Sequence, residues 1–113
     1  TISFEEGILQ HPPALLPGAL ETVKSLAEKH YIALISDTAF SPGRVLKRIM
    51  ERDGIAEYFS AFSFSDETGV SKPHETAYKT ALQHAQCQPQ TAVHIGDIER
   101  TDIAGAKNYG MWA

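Results

Sequence analysis

His94-Ile95-Gly96-Asp97-Ile98-Glu99-Arg100-Thr101-Asp102 is the stretch whose reading decides the fold. It begins in the apolar run 91–95, which predicts a strand, and leads into residues 102–109, which predict a short helix closed by Gly110. Gly96 lets the backbone pass close to a ligand. One aspartate sits at the strand end and the other at the expected N-cap of the helix. Carboxylates brought together at one loop repel unless a cation intervenes. Magnesium suits them, as a hard ion held by one or two carboxylates with water and phosphate completing its shell. The plainer alternative is a turn carboxylate at Asp97 and a cap at Asp102, and the cap role is expected in either case.

Upstream, the same alternation recurs. Pro17-Gly18 opens a helical pattern with Leu20, Val23, Leu26 and Ala27 on one face and Glu21, Lys24, Glu28 and Lys29 on the other. Residues 31–35 form an apolar run without alternation, as in a strand buried on both faces. Ser41-Pro42 predicts a helix start, with serine as N-cap and Val45, Leu46, Ile49 and Met50 inward; Gly54 ends it. Residues 61–65 read as a second strand and 66–73 as a polar loop. Residues 74–86 read as a helix burying Ala77, Tyr78, Ala81, Leu82 and Ala85, and Met111-Trp112 as the start of a further strand. Alternating strands and helices with short connections predict an α/β fold: a three-layer α/β/α, Rossmann-like parallel sheet. Ligands of such sheets bind beyond the carboxyl ends of the strands, which directs attention to loops 36–41, 66–73 and 96–102.

The first loop opens Ser36-Asp37-Thr38, where a hydroxyl among backbone N–H groups can hold a phosphoryl oxygen; serine and aspartate are also ordinary turn residues. The second ends Ser71-Lys72-Pro73. The proline biases Lys72 toward an extended backbone, so the ammonium is either aimed at an anionic pocket or simply exposed before a helix. In order, Leu34-Ile35-Ser36-Asp37, Lys72-Pro73 and Gly96-Asp97 followed at Asp102 by Asp102-Ile103-Ala104-Gly105-Ala106-Lys107-Asn108-Tyr109-Gly110-Met111 resemble the motifs of the haloacid dehalogenase superfamily. Phe64-Ser65-Asp66-Glu67 before Lys72 fits as well, and the resemblance runs from Leu15 to Met111.

The resemblance implies roles position by position. Ser36 would hydrogen-bond a transferring phosphoryl oxygen, and Lys72 would neutralise phosphate and nucleophile together. Asp97 would ligate Mg2+ directly, and Asp102 would ligate it or fix the other ligands. Asp37, where relatives commonly carry asparagine, would place a negative charge beside the substrate. Aspartate at position 97 favours a phosphatase over the metal-free dehalogenase branch. The family's first motif, two aspartates one residue apart, has no match here, since no Asp-x-Asp occurs in the sequence. The stretch is therefore expected to be part of a longer chain, with the aspartate nucleophile elsewhere, residues 1–16 a connection from a cap region and residues 17–113 a partial core. The 113 residues alone are expected to be inactive. A dehalogenase and a non-catalytic binding or regulatory relative remain as alternatives.

Composition bounds the partners. A net charge of −4 offers no basic stripe for nucleic acid, while a small phosphorylated molecule needs only local cations. The apolar runs are too short to span a membrane. The single cysteine, Cys87, points weakly to a reducing, cytoplasmic setting. No Gly-x-Gly-x-x-Gly follows a strand, which sets a dinucleotide-binding domain aside. His11, His30, His74 and His84 share no metal spacing, and His94 is expected to be a packed core residue. Arg44 and Arg100 either meet an anion or are solvated.

Overall fold

A computed structural model describes Leu9 and residues 13–38 and 41–113. Most of the expected connection over residues 1–16 lies outside the described residues. Two strands, β1 (Ala33–Ser36) and β2 (Ala61–Phe64), pair in parallel with Ser36 opposite Phe64. The loops that leave both strands therefore start from the same edge. Five α-helices accompany them among the described residues: α1 (Ala19–Ala27), α2 (Gly43–Arg52), α3 (Ser65–Thr68), α4 (Glu75–Ala85) and α5 (Ala106–Tyr109).

Strand alternation sends the side chains of β2 to two faces. Ser63 Oγ donates to the carbonyl of Ala77 at 2.7 Å, so α4 covers one face. Phe62 and Phe64 stack on each other with ring centroids 5.6 Å apart; Lys47 of α2 lies 4.8 Å over the Phe62 ring, and a Cβ at Gly43 would overlap the Phe64 ring. Helix α2 thus covers the other face, and the expected α/β/α layering around a parallel sheet holds. Phe64, Val45 and Tyr78 are almost wholly buried. Burial of a side chain such as Phe64 or Val45 contributes about 1.5–3 kcal/mol. Helix α4 buries the five residues its periodicity marks: Ala77, Tyr78, Ala81, Leu82 and Ala85. His74 caps it by accepting the N–H of Thr76 at Nδ1, and Gln86 ends it in the left-handed conformation.

Several boundaries differ from expectation. The strand expected over 31–35 forms over Ala33–Ser36, and none of it is fully buried, because among the described residues it pairs on its β2 side alone. Helix α2 starts at Gly43 with Pro42, not Ser41, in the cap position; its Gly43 N–H is satisfied at 2.9 Å by the carboxylate of Asp66, distant in sequence. The loop expected from 66 to 73 begins as the short helix α3. Helix α1 keeps the expected amphipathic pattern but buries no residue fully, and Leu26 remains 40% exposed.

The largest difference lies at residues 91–95. Thr91 ends a 3-10 turn, Pro89–Thr91, and the expected strand reduces to one parallel bridge, Val93 with Trp112. Two backbone bonds make it: Trp112 N–H to Ala92 O at 3.0 Å and His94 N–H to Trp112 O at 2.8 Å. The helix expected from Asp102 is instead a π-helical stretch, Glu99–Gly105, which passes into α5. Asp102 lies inside that stretch and is not its N-cap. Among the described residues, no helix is long and apolar enough to cross a membrane.

Candidate active site at the carboxyl edge of the strands

Ser36 closes β1 half-buried, and Asp37 and Thr38 turn away from it. A network of short polar contacts fixes this turn to the loop after β2. Ser65 Oγ accepts the N–H of Thr38 at 2.7 Å and lies 2.9 Å from its hydroxyl. Thr38 Oγ1 in turn donates to Asp66 Oδ1 at 3.2 Å and accepts the Asp66 N–H at 3.1 Å. Asp66 therefore serves two elements, the Thr38 turn and the first N–H of α2.

Lys72 joins the second loop to both others. Its backbone N–H donates to Asp37 Oδ1 at 2.9 Å, and its Nζ donates to Asp102 Oδ1 at 2.7 Å. The lysine and aspartate side chains are 12% and 5% exposed, so the pair is largely removed from water. Pro73 follows through a cis peptide bond.

Asp102 is the hub. Besides Lys72, its Oδ1 receives His94 Nε2 at 3.0 Å, and its Oδ2 accepts the backbone N–H of Ile98 at 3.1 Å. An ionised carboxylate has about four acceptor positions, so most of its capacity is used. Burial alone would raise its pKa, but the hydrogen bonds from Lys72, His94 and Ile98, with the lysine charge, hold the carboxyl well below the usual range. By reaching back to Ile98, which precedes the π-helical stretch, the side chain acts as the acidic half of a capping box does. Gly96 is required here, since any Cβ would overlap the Asp102 carboxyl. Gly105 has the same kind of reason: a Cβ would overlap the Tyr78 hydroxyl, which donates to Thr101 O at 2.6 Å. Burial, then the charges of Asp102 and Asp37, push the Tyr78 phenol up.

Of the residues singled out from sequence, hydrogen bonds therefore bring Asp37, Lys72 and Asp102 together, with Ser36 next to Asp37 in the chain. Asp97 stands apart. It is exposed, and among the described residues its carboxylate has no hydrogen-bond or ion-pair partner. The sequence reading missed His94 as a polar contact, because a histidine within an apolar run looks like packing. It also missed the Thr38–Ser65–Asp66 network, although Ser65 and Asp66 lie in a segment whose resemblance was already visible.

Among the described residues, no group of three or more His, Cys, Asp or Glu side chains is gathered into a metal cage. Magnesium does not require one, because one or two carboxylates plus water and phosphate suffice. The donor set fits that mode: a hard carboxylate at Asp97, unpartnered among the described residues, five positions from a carboxylate already organised by protein donors.

Comparison with known proteins identifies the family. The description of haloacid dehalogenase-like hydrolases matches residues 4–110. A glyceraldehyde 3-phosphate phosphatase of Pyrococcus furiosus is 34% identical over 97 residues, covering 85% of this chain and 39% of the relative. The chain thus spans about two fifths of that relative's length. The crystal structure of a HAD phosphatase from Thermococcus onnurineus superposes with a TM-score of 0.84 at 21% identity, covering 98% of this chain and 53% of that one. YfnB, a HAD-type hydrolase of Bacillus subtilis whose structure is described as bound to magnesium, gives a TM-score of 0.69 at 20% identity over 87% of this chain and 43% of its own. With its motifs in order, its layered parallel sheet and a family match over nearly its whole length, the chain belongs to the haloacid dehalogenase-like hydrolases.

Proposed function

We propose that this chain forms the phosphate- and metal-binding part of a magnesium-dependent phosphatase acting on a small phosphorylated metabolite. The observation that carries the reading is the ammonium of Lys72, held at 2.7 Å by a buried aspartate on the loop whose other aspartate, Asp97, is exposed and has no partner among the described residues. A fixed cation on one loop and an available hard carboxylate on another suit an oxyanion with its counter-ion. The named phosphatase activity of the Pyrococcus relative supports the substrate class.

In this reading Ser36 and the backbone after β1 hold a phosphoryl oxygen, and Lys72 neutralises the charge that accumulates during transfer. Asp37 fixes the Lys72 backbone and sets a negative charge at the substrate rim. Asp97 holds magnesium, which when bound polarises the phosphoryl group and offsets its charge. Asp102, already engaged by three donors, orients Lys72 and the 96–98 loop. No Asp-x-Asp occurs among these residues, so we assign the nucleophile to a carboxylate supplied from outside them; it would displace the ester's alcohol from phosphorus to form an aspartyl-phosphate, which water then hydrolyses to inorganic phosphate and the free carboxylate. The setting we propose is cytoplasmic, with neither nucleic acid nor membrane as partner.

Phosphate release from glyceraldehyde 3-phosphate and from a generic aryl phosphate, measured on the full-length protein with Mg2+ and with chelator, tests the proposal. Release that needs Mg2+ and disappears in Asp97→Ala is expected. Halide release from a 2-haloacid at a rate indifferent to Mg2+ would reassign the chain to the dehalogenase branch.

A further inference from the structure

His94 is a polar side chain at this site to which the phosphatase reading gives no task. Its Nε2 lies 3.0 Å from Asp102 Oδ1, the oxygen that also takes Lys72 Nζ at 2.7 Å. An ionised carboxylate only accepts, so the imidazole donates, and Nε2 carries the proton. The rest of the ring is fixed by packing: Tyr78, fully buried, meets it edge-on with centroids 5.9 Å apart, and the His94 backbone is tied to Trp112 O.

A carboxylate anchored through one oxygen can still rotate about its Cβ–Cγ bond. Anchored through both, it cannot. Ile98 N–H holds Oδ2 and His94 holds Oδ1, so these two fixed donors set the plane of the carboxylate independently of the long, flexible Lys72 side chain. We infer that His94 is a positioning residue: by donating Nε2–H to Asp102 it fixes the carboxylate that aims Lys72 Nζ at the phosphoryl group. The contact itself stands on geometry; its consequence for turnover rests on the phosphatase reading.

Two substitutions separate positioning from packing. His94→Phe keeps a ring against Tyr78 but removes the donor, whereas His94→Gln restores an N–H at about the reach of Nε2. In the full-length protein, H94F is expected to lower kcat/KM on a phosphate ester roughly 10–100-fold, the usual cost of losing a partner that orients a site residue. The loss should fall in kcat and exceed what a modest fall in melting temperature accounts for, and H94Q should recover most of it. A second readout is independent of turnover. The Lys72 ammonium should give a resolved, slowly exchanging 1H–15N NMR signal in the wild type and in H94Q, and a broadened or absent one in H94F. An H94F protein with the wild-type lysine signal and wild-type kcat overturns the inference, as does an H94Q protein no better than H94F. A wild-type protein that hydrolyses no phosphate ester, yet loses the lysine signal in H94F, would instead overturn the phosphatase reading and leave the positioning role standing.

Discussion

Between β2 and α4 the chain buries Ala61, Ser63, Phe64, Ala77, Tyr78 and Ala81, whereas the stretch from Val93 to Ile98 leaves Val93, Ile95 and Ile98 exposed by 62%, 81% and 55%. The sequence predicts a strand in each, over 61–65 and over 91–95. The first is built that way: a four-residue parallel ladder under a helix, with the one polar side chain facing α4, Ser63, satisfied by Ala77 O. The second is held by a single bridge to Trp112 and by polar contacts that converge on Asp102. Burial fixes the platform, while hydrogen bonds fix the chemistry at its edge. Substitutions in the platform should therefore cost stability, and those at the edge should cost function as well.

The largest effect is expected at Asp102, where the two regions meet. Asp102→Ala leaves the largely buried Lys72 ammonium and the His94 donor without their acceptor, which costs about 3–5 kcal/mol in a denaturant titration. The contact also has a pH signature. A carboxyl held below its ordinary value of about 3.9 stabilises the fold above that value, and the contribution is lost as pH falls through the folded pKa. Acid unfolding of the wild type should thus steepen below about pH 4, a feature that Asp102→Asn removes. Lys72→Ala comes next. It should reduce phosphate-ester turnover on the order of 10²–10³-fold, as loss of a fixed charge-stabilising donor does, with a smaller effect on melting. In the platform, Ser63→Ala should cost about 1 kcal/mol of stability, the worth of one net hydrogen bond, and leave turnover intact. The smallest change is expected at Leu26, already 40% exposed on α1: Leu26→Ala should shift stability by under about 1 kcal/mol. A large loss at Leu26, or a small one at Asp102, would invert the comparison.

How far the sequence was legible follows the same division. Where burial decides, periodicity sufficed: the five inward residues of α4 and the buried Val45 and Ile49 of α2 fall where the 3.6-residue pattern puts them. Where partners distant in sequence decide, it did not. No local pattern shows that Asp66 would cap α2, and a serine before a proline competes for that reading. Likewise Asp102 looks like an N-cap from its place before a small-residue helix, yet its carboxylate is drawn back to Ile98 N–H and across to Lys72 and His94. The run 91–95 reads as a strand because its residues are apolar, but a strand also needs neighbours, and among the described residues only Trp112 provides one. The motif resemblance marks Lys72 and Asp102 as candidate site residues, but it does not show their direct contact at 2.7 Å.

The proposed function requires that Lys72, steadied by Asp102, face a phosphoryl site whose metal is carried by Asp97. A crystal of the full-length protein soaked with Mn2+ and inorganic phosphate tests it most directly, because the anomalous signal of manganese locates the ion independently. The Mn2+ peak is expected on the Asp97 carboxylate, with phosphate in contact with both the ion and Lys72 Nζ while Nζ keeps its bond to Asp102. A manganese peak away from Asp97, or a phosphate that Lys72 does not touch, would contradict it.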